Sequence, residues 1–326
     1  MSRTKACLGI GLTSIAALEA AYSWSDKLQG IELMILVSRN QVDYDGGYVG
    51  LTTRELGSLI TECQKRWPRA HIIFERDHCG PGMKAGEEVH DFKGTYRTMD
   101  EDCAAGFQII HIDFSRSRRV QMTPDAMDTI LYIAPDMLFE VGGAENDGQP
   151  DTPEEVAAVL DVCSRFPVEF FALRTGSMLC DGTQSGRLNQ EAVAPCAELI
   201  RAHQVRVKEH NADYLRVGEI FDRTGLVDAM NVAPEFGTRQ TKTILDLCGS
   251  LNVDASDFMN AAYATEAWKR WAPEADRLTK TVVSGHYAFN TDAYKQLRDQ
   301  LERHLDVDAK VRDELEGIIG RYVCSW

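Results

Sequence analysis

Imidazole and carboxylate side chains stand next to each other at two widely separated points of this sequence. Asp77 and His78 lie in the segment RDHCGP, and Glu209 and His210 lie in EHNADY. Two histidines completed by a carboxylate form a donor set that suits zinc, manganese or cobalt. Such an ion acts as a Lewis acid beside which a substrate can lose a proton or break a C–C bond. The sequence therefore predicts a divalent metal site, with zinc as the favoured ion.

The predicted site needs a third ligand and a group that moves protons. The predicted metal ligands are His78 and His210 with one carboxylate, Glu145 or Glu140. The candidates for acid/base catalysis are Asp77, Glu145 and Glu235, because a carboxylate beside a metal site can carry a proton to and from the substrate. Asp77 has the alternative role of orienting the substrate.

Further polar residues follow other apolar runs, and we expect them to bind the substrate. They are Asn40, Gln41, Asp45, His111, Asp113, Ser115, Arg174, Lys208, Asp213 and Asn231. His111 has two open interpretations, a metal ligand or a hydrogen-bonding partner behind the ligands. The cluster Arg116, Arg118 and Arg119 is either a solvated surface or a docking point for a substrate phosphate.

The elements that must position these residues alternate regularly along the chain. Eight short β-branched runs are each followed by a helical pattern, which favours βα units and a closed (β/α)8 barrel. The predicted strands are 8–12, 31–37, 72–74, 109–112, 138–141, 170–173, 205–208 and 228–232. Because such a barrel carries its chemistry on the loops after the strands, the polar clusters should converge on one face.

The pattern changes to helices alone after Gly249. Helices are predicted over Ser256–Trp271, Ala293–Leu305 and Ala309–Tyr322. The sequence thus predicts a barrel over 1–250 and a helical extension over 251–326 that packs on it.

Composition excludes several classes of protein. The 326 residues are 44% hydrophobic, enough for a large core, and the net charge of −15 argues against nucleic acid as a partner. Nine cysteines without a CxxC pair indicate reduced thiols, and we expect a cytoplasmic location. No run of about 18 apolar residues is present, so we expect no membrane span. Neither a dinucleotide-binding glycine motif nor a Walker motif occurs.

Longer segments carry a resemblance to a known family. NQVDYDGGYVGLTT (40–53), RDHCGP (76–81), AGFQIIHIDFSRS (105–117), EHNADY (209–214) and NVAPEFG (231–237) resemble the non-catalytic subunit family of class II D-tagatose-bisphosphate aldolase. That family is related to zinc-dependent class II ketose-bisphosphate aldolases and includes enzymes described as ketose-phosphate 4-epimerases. The resemblance covers nearly the whole chain and implies a TIM barrel that acts on a sugar or sugar phosphate.

The resemblance also implies roles for individual residues. Asp77 and His78 fall where the catalytic aldolases have their catalytic aspartate and first zinc histidine. His210 falls on a second zinc histidine, Asn231 on a substrate-contacting asparagine, and Glu145 on the glutamate of a Gly-Gly-x-Glu-Asp segment.

Two departures from the catalytic aldolases stand out. The segment 172–178 has no histidine where those enzymes supply a third ligand, and Asn211-Ala212-Asp213 replaces their Gly-Gly-Ser phosphate loop. The missing loop argues against a bisphosphate substrate.

These observations favour a metal-dependent enzyme that performs aldol or retro-aldol chemistry, either ketose-phosphate epimerisation or reversible C–C cleavage. The first alternative is a non-catalytic subunit that stabilises a separate class II aldolase, and the second is an unrelated barrel activity. The expected partners are a small sugar or sugar phosphate and either further copies of the chain or an aldolase subunit.

Overall fold

The computed structural model describes residues 6–27, 31–143 and 148–326. Eight parallel strands close into a barrel: β1 (Cys7–Gly11), β2 (Glu32–Ser38), β3 (Ile72–Cys79), β4 (Ile109–Ile112), β5 (Leu138–Gly142), β6 (Val168–Leu173), β7 (Arg206–Glu209) and β8 (Ala229–Val232). The barrel closes where β1 pairs with β8, with Cys7 opposite Ala229. The predicted (β/α)8 barrel is therefore confirmed.

Helices cover the outside of the barrel. Those between strands are α1 (Ile15–Lys27), α2 (Thr53–Arg66), α3 (Phe92–Ala105), α4 (Thr123–Ile133), α5 (Pro153–Cys163), α6 (Gln190–Ala202) and α7 (Val217–Phe221), and α8 (Pro234–Leu251) follows β8. Capping boxes explain why α2 and α5 begin where they do. The side chain of Thr52 accepts a hydrogen bond from the backbone N–H of Glu55, and that of Thr152 from the backbone N–H of Glu155. Each glutamate side chain in turn accepts the backbone N–H of its threonine.

Two separate sets of buried side chains hold the barrel together. The larger set lies between the strands and the surrounding helices. The smaller set fills the barrel interior, and its members are Cys7, Met34, Leu36, Ile109, Phe170 and Ala229. Strands buried on both faces in this way read as near-continuous apolar runs, as in ELMILVS of β2.

The chain after α8 forms five further helices, α9 (Ser256–Ala264), α10 (Trp268–Trp271), α11 (Arg277–Ser284), α12 (Asp292–Leu301) and α13 (Val307–Ser325). The last helix packs on α1 and α8, and α11 packs on α8 and α9. The long helix predicted over Ser256–Trp271 is divided, because Glu266 adopts a left-handed backbone with φ 57° and the chain turns there. Helix α11 was not predicted. The domain division at residue 250 stays a prediction.

A short antiparallel hairpin, which the sequence did not predict, follows β6. It joins Leu179–Cys180 to Thr183–Gln184. The N–H of Asp181 in its turn donates to the carbonyl of Trp271 at 2.8 Å, which ties the hairpin to α10. Among residues 6–27, 31–143 and 148–326, none of the helices combines the length and the hydrophobicity of a membrane span.

Candidate metal centre and substrate cavity

The end of β3 places two neighbouring side chains on the same side. Residues next to each other on a regular strand face opposite sides, yet Asp77 and His78 both line the same cavity. The pairing of β3 with β4 shifts register between Arg76 and Cys79, and His78 has a left-handed φ of 48°. This irregularity turns both side chains toward the barrel mouth.

Arg76 holds the irregular strand end in place from the other side. Its fully buried guanidinium donates to both carboxylate oxygens of Asp102 at 2.7 and 2.5 Å. It also donates to the carbonyls of Val37 and Val42 at 3.0 and 2.6 Å. These bonds fix β3 against α3 and the loop after β2, which leaves little freedom to the residues that follow Arg76.

Three imidazoles and one carboxylate converge above β3, β4 and β7. One ligand-type atom from each of Asp77, His78, His111 and His210 lies within 4.8 Å of the others. The ring centroid of His78 lies 4.8 Å from that of His111 and 5.2 Å from that of His210. We call these four residues the His/Asp group.

Each imidazole of the His/Asp group has one nitrogen held by an acceptor outside it. His78 Nδ1 lies 2.7 Å from Asp113 Oδ2, and His210 Nε2 lies 2.7 Å from Glu140 Oε1. His111 Nε2 donates to the carbonyl of Gly142 at 3.1 Å. Carboxylate and carbonyl partners of this kind orient histidine ligands in metal sites.

Asp77 completes the group with an unused oxygen. Its Oδ1 is buried, has no hydrogen-bond partner among the described residues, and lies 3.7 Å from His111 Nδ1 and 3.9 Å from His78 Nε2. Burial raises the pKa of Asp77, but the nearby charges of His78, His210 and His111 outweigh it, so the pKa lies well below its usual range. Three imidazoles are a donor set that fits a divalent cation, and the unpartnered carboxylate oxygen of Asp77 lies beside them.

The charges of the three histidines differ in the ion-free protein. Burial lowers the pKa of His111, but Glu140, Asp77 and Asp113 together raise it to about 10. The pKa of His78 is also raised, since Asp77 and Asp113 outweigh burial, whereas burial dominates at His210 and lowers its pKa. Because a metal ligand must be neutral imidazole, a cation at this site would displace protons from His78 and His111.

Beneath the His/Asp group the barrel interior contains Lys208 and two glutamates, and burial and the neighbouring Glu140 raise the pKa of Glu75 well above its ordinary value. Lys208 Nζ donates to both oxygens of Glu75 at 2.7 Å and to Glu140 Oε2 at 2.5 Å, and all three side chains are fully buried. Burial lowers the pKa of Lys208, but Glu140 and Glu75 raise it above its usual value, so the ammonium group stays charged. Lys208 thus anchors Glu140, which in turn holds His210.

A cavity of about 950 Å³ opens above the His/Asp group at the carboxyl ends of the strands. Of the residues predicted from the sequence, its lining includes Asn40, Gln41, Asp77, His78, Asp113, Arg174, His210, Asp213 and Asn231. Asp213 and Asn231 each present a buried side-chain oxygen, Oδ2 and Oδ1 respectively, without a partner among the described residues. Burial and the neighbouring Glu235 raise the pKa of Asp213 well above its ordinary value.

The remaining predicted residues lie elsewhere. His111, Glu140 and Lys208 are fully buried below the cavity floor, and Lys208 is occupied by two glutamates. Glu145 lies outside the described residues. The structure therefore brings His111 together with His78 and His210, as expected from the metal-ligand interpretation that the sequence left open beside substrate binding and a hydrogen-bonding place behind the ligands.

Three other predicted residues do not line the cavity. The carboxylate of Glu235 accepts the N–H of Tyr214 at 2.7 Å and pairs with Arg321. Asp45 pairs with Lys84. The backbone N–H of Ser115 donates to Asp113 Oδ1 at 3.0 Å.

The segment after α8 supplies a wall of the cavity that the sequence did not indicate. Its lining residues are Thr265, Ala267, Arg270, Trp271, His286 and Tyr287. Tyr287 packs at a tilt against Tyr48 from the loop after β2, with ring centroids 4.5 Å apart, and its hydroxyl accepts a 2.9 Å hydrogen bond from Trp271 Nε1. No strand-end pattern marks these residues, so nothing in the sequence pointed to them.

The N-terminal part of the chain is similar to a known protein family. Residues 5–134 match the model of the D-tagatose-1,6-bisphosphate aldolase subunit GatZ/KbaZ-like family. GatZ subunits of D-tagatose-1,6-bisphosphate aldolase from Escherichia coli (strain K12) are 27% identical over 157 residues, which is 46% of this chain. The match covers only 37% of the length of these curated relatives. The family resemblance expected from the sequence is confirmed over this part of the chain.

Solved structures share the fold over nearly the whole chain. A probable tagatose 6 phosphate kinase from Sinorhizobium meliloti 1021 has a TM-score of 0.79 at 15% identity, covering 99% of this chain and 100% of that one. The fructuronate-tagaturonate epimerase UxaE from Cohnella laeviribosi has a TM-score of 0.68 at 10% identity, covering 100% of this chain and 82% of that one. At these identities the likeness concerns the fold.

Proposed function

Because the chain resembles an aldolase-subunit family and has a His/Asp group at its barrel mouth, we propose that it is a divalent-metal-dependent enzyme acting on an open-chain sugar or sugar phosphate. The reaction is aldol chemistry, either ketose epimerisation or reversible C–C cleavage. The observation that carries the proposal is the convergence of three imidazoles with an orphaned carboxylate oxygen within 4.8 Å.

The chemistry of the donors fits a divalent transition metal. His78, His111 and His210 would hold the ion through the nitrogens that do not face Asp113, Gly142 and Glu140 respectively. At His111 this is Nδ1, where the ion would replace a long 3.4 Å hydrogen bond from the N–H of His78. Three imidazoles and one open position are typical of catalytic zinc, and manganese or cobalt accept the same ligands. His111 thereby supplies the third imidazole that segment 172–178 lacks. A bound ion would provide Lewis-acid polarisation of the substrate carbonyl.

The remaining chemistry falls to residues of the chain. Asp77 Oδ1, ionised and unpartnered, would accept the proton of the substrate hydroxyl as the adjacent C–C bond breaks. The same carboxyl would return that proton after the aldehyde has rotated and the bond has re-formed on its other face. Asp213 and Asn231 would bind other hydroxyl groups through their unpartnered oxygens, and the raised pKa of Asp213 makes it a hydrogen-bond donor.

The test is to incubate zinc- or manganese-loaded protein with D-fructose, D-fructose 6-phosphate and D-fructuronate and to follow the products by NMR. Inversion at C4 would identify an epimerase, and three-carbon products would identify cleavage. Asp77→Asn should keep the metal and lose at least about 100-fold in rate, because it removes the proton acceptor. Stoichiometrically loaded protein that converts none of the three, and Asp77→Asn with unchanged turnover, both contradict the proposal.

One observation favours a second candidate function. The curated relatives are named as subunits of an aldolase, which suggests that this chain stabilises a separate catalytic subunit. Pull-down with the tagged chain distinguishes the two functions. Capture of an aldolase by metal-free protein supports the subunit function, whereas a metal-loaded protein active in isolation supports the enzyme.

A further inference from the structure

The cations that line the cavity are not equivalent. Lys84 pairs with Asp43 and Asp45, and Arg174 pairs with Asp151 and Glu155. Arg116, which also lines the cavity, donates to the carbonyl of Gly82 at 3.0 Å. Arg270, from α10, also lines the cavity but forms no ion pair with a carboxylate of residues 6–27, 31–143 or 148–326.

The position of Arg270 is defined by its neighbours. Its guanidinium carbon lies 4.7 Å from the ring centroid of Trp271. Trp271 is itself fixed on two sides, because its Nε1 donates to the hydroxyl of Tyr287 and its carbonyl accepts the N–H of Asp181. A guanidinium stacked on an aromatic ring keeps its N–H donors free for a planar or tetrahedral anion.

The floor of the cavity is occupied by the proposed metal site. Asp77, His78 and His210 line it there, at the ends of the strands. The carbonyl of a substrate would face this site, and the wall formed by α10 is then left for a negatively charged end. Electrostatic complementarity of this kind orients a ligand as well as binding it.

We propose that Arg270 binds a terminal anionic group, a phosphate or a carboxylate, of the open-chain sugar that occupies the cavity. The segment after α8 then contributes substrate specificity in addition to its packing on the barrel. This inference rests on the proposed function for the nature of the substrate, but anion recognition by Arg270 does not depend on turnover.

The test measures binding by isothermal titration calorimetry, on both metal-loaded and EDTA-treated protein. The probes are D-fructose 6-phosphate, D-fructuronate and neutral D-fructose, so the two anionic probes distinguish a phosphate from a carboxylate. We expect one anion to bind at least about tenfold more tightly than the neutral sugar, since charge-assisted hydrogen bonds are worth that much. Arg270→Gln should lose this preference and change the Kd of D-fructose less than about twofold.

Two further variants control the measurement. Lys269→Gln removes a positive charge at the neighbouring residue. Because Lys269 pairs with Glu266 and does not line the cavity, this variant should keep the anion preference. Arg270→Lys should keep part of it, because the charge remains while the planar fork is lost. Circular dichroism verifies that each variant is folded.

Several outcomes overturn the inference: equal binding of charged and neutral probes to the wild type, no binding of any probe, or an unchanged preference in Arg270→Gln. Metal content is measured on the same samples. Anion preference without bound metal would leave the inference standing and count against the proposed function. Bound metal without anion preference would overturn the inference and leave the proposed function standing.

Discussion

The carboxylate of Glu140 links His210 to the interior of the barrel: its Oε1 lies 2.7 Å from His210 Nε2. Its other oxygen, Oε2, accepts a 2.5 Å bond from Lys208 Nζ. A single glutamate thus fixes both the orientation of an imidazole at the cavity and the position of a buried ammonium group. Metal affinity and barrel stability are expected to depend on it in different ways.

Glu140→Gln should weaken metal binding without unfolding the protein. The amide removes the carboxylate that orients His210, and loss of such a partner typically lowers metal affinity about 10- to 100-fold. Competition with a chromophoric zinc chelator measures the change. Glu198→Gln alters an exposed carboxylate of α6 and should leave the affinity unchanged. Equal affinities in Glu140→Gln and wild type would show that Glu140 does not support the site.

Lys208→Met should destabilise the metal-free protein by about 3–5 kcal/mol, because it leaves two fully buried glutamates without their shared cation. Urea denaturation measures the free energy of unfolding. Lys27→Met, in an exposed pair with Glu316, is the matched control and should cost less than about 1 kcal/mol. A loss below about 1 kcal/mol in Lys208→Met would contradict the stabilising role assigned to Lys208.

His286 should make the protein sensitive to acid. Burial lowers its pKa to about 3, while the unfolded chain takes up the proton near pH 6.5. Because the folded pKa is the lower one, the unfolded state binds more protons between these values, and stability falls as the pH drops from 6.5 toward 3. The slope from this residue approaches about 1.4 kcal/mol per pH unit.

The measurement is the free energy of unfolding of wild type and His286→Gln between pH 7 and pH 4. The variant should lose a part of the acid-dependent slope, whatever its absolute stability. The control is His203→Gln, which should retain the full slope. His203 is exposed, and its Nδ1 bonds to the carbonyl of Leu199. Identical slopes in wild type and His286→Gln would be evidence that His286 is not buried as a neutral ring.

Tyr322→Phe should loosen the attachment of α13 to the barrel mouth. The buried hydroxyl donates to the carbonyl of Ala212 at 2.5 Å and accepts the N–H of Leu215 at 3.3 Å. Its removal leaves both buried groups without that partner and should cost about 1–3 kcal/mol by urea denaturation. Tyr132→Phe changes an exposed tyrosine and should cost under about 0.5 kcal/mol. Equal losses of unfolding free energy in the two variants would contradict the role assigned to the Tyr322 hydroxyl.

The sequence predicted the barrel because its strands are short apolar runs separated by capped helices. It also placed nine of the cavity residues at strand ends, since parallel strands in a closed barrel end on one face. Local pattern could not reveal the irregular backbone at His78, which brings Asp77 and His78 to the same side. That feature depends on pairing with β4.

The contribution of the segment after α8 was hidden for a different reason. Arg270 and His286 reach the cavity through packing of α10 and the turn 285–288 against distant parts of the chain. Helical periodicity indicates which face is buried but not which neighbour it meets. The third imidazole was visible in the sequence as His111, but its place beside His78 and His210 required the register of β4.

The most direct test of the account is the metal content of the purified protein, by elemental analysis, for wild type and His210→Ala side by side. We predict about one zinc, manganese or cobalt ion per chain in the wild type, and loss of most of it in the folded variant. His203→Ala should keep the ion. Wild-type protein that stays metal-free after dialysis against these ions, or His210→Ala that keeps its full complement, would contradict the metal centre on which the proposed function depends.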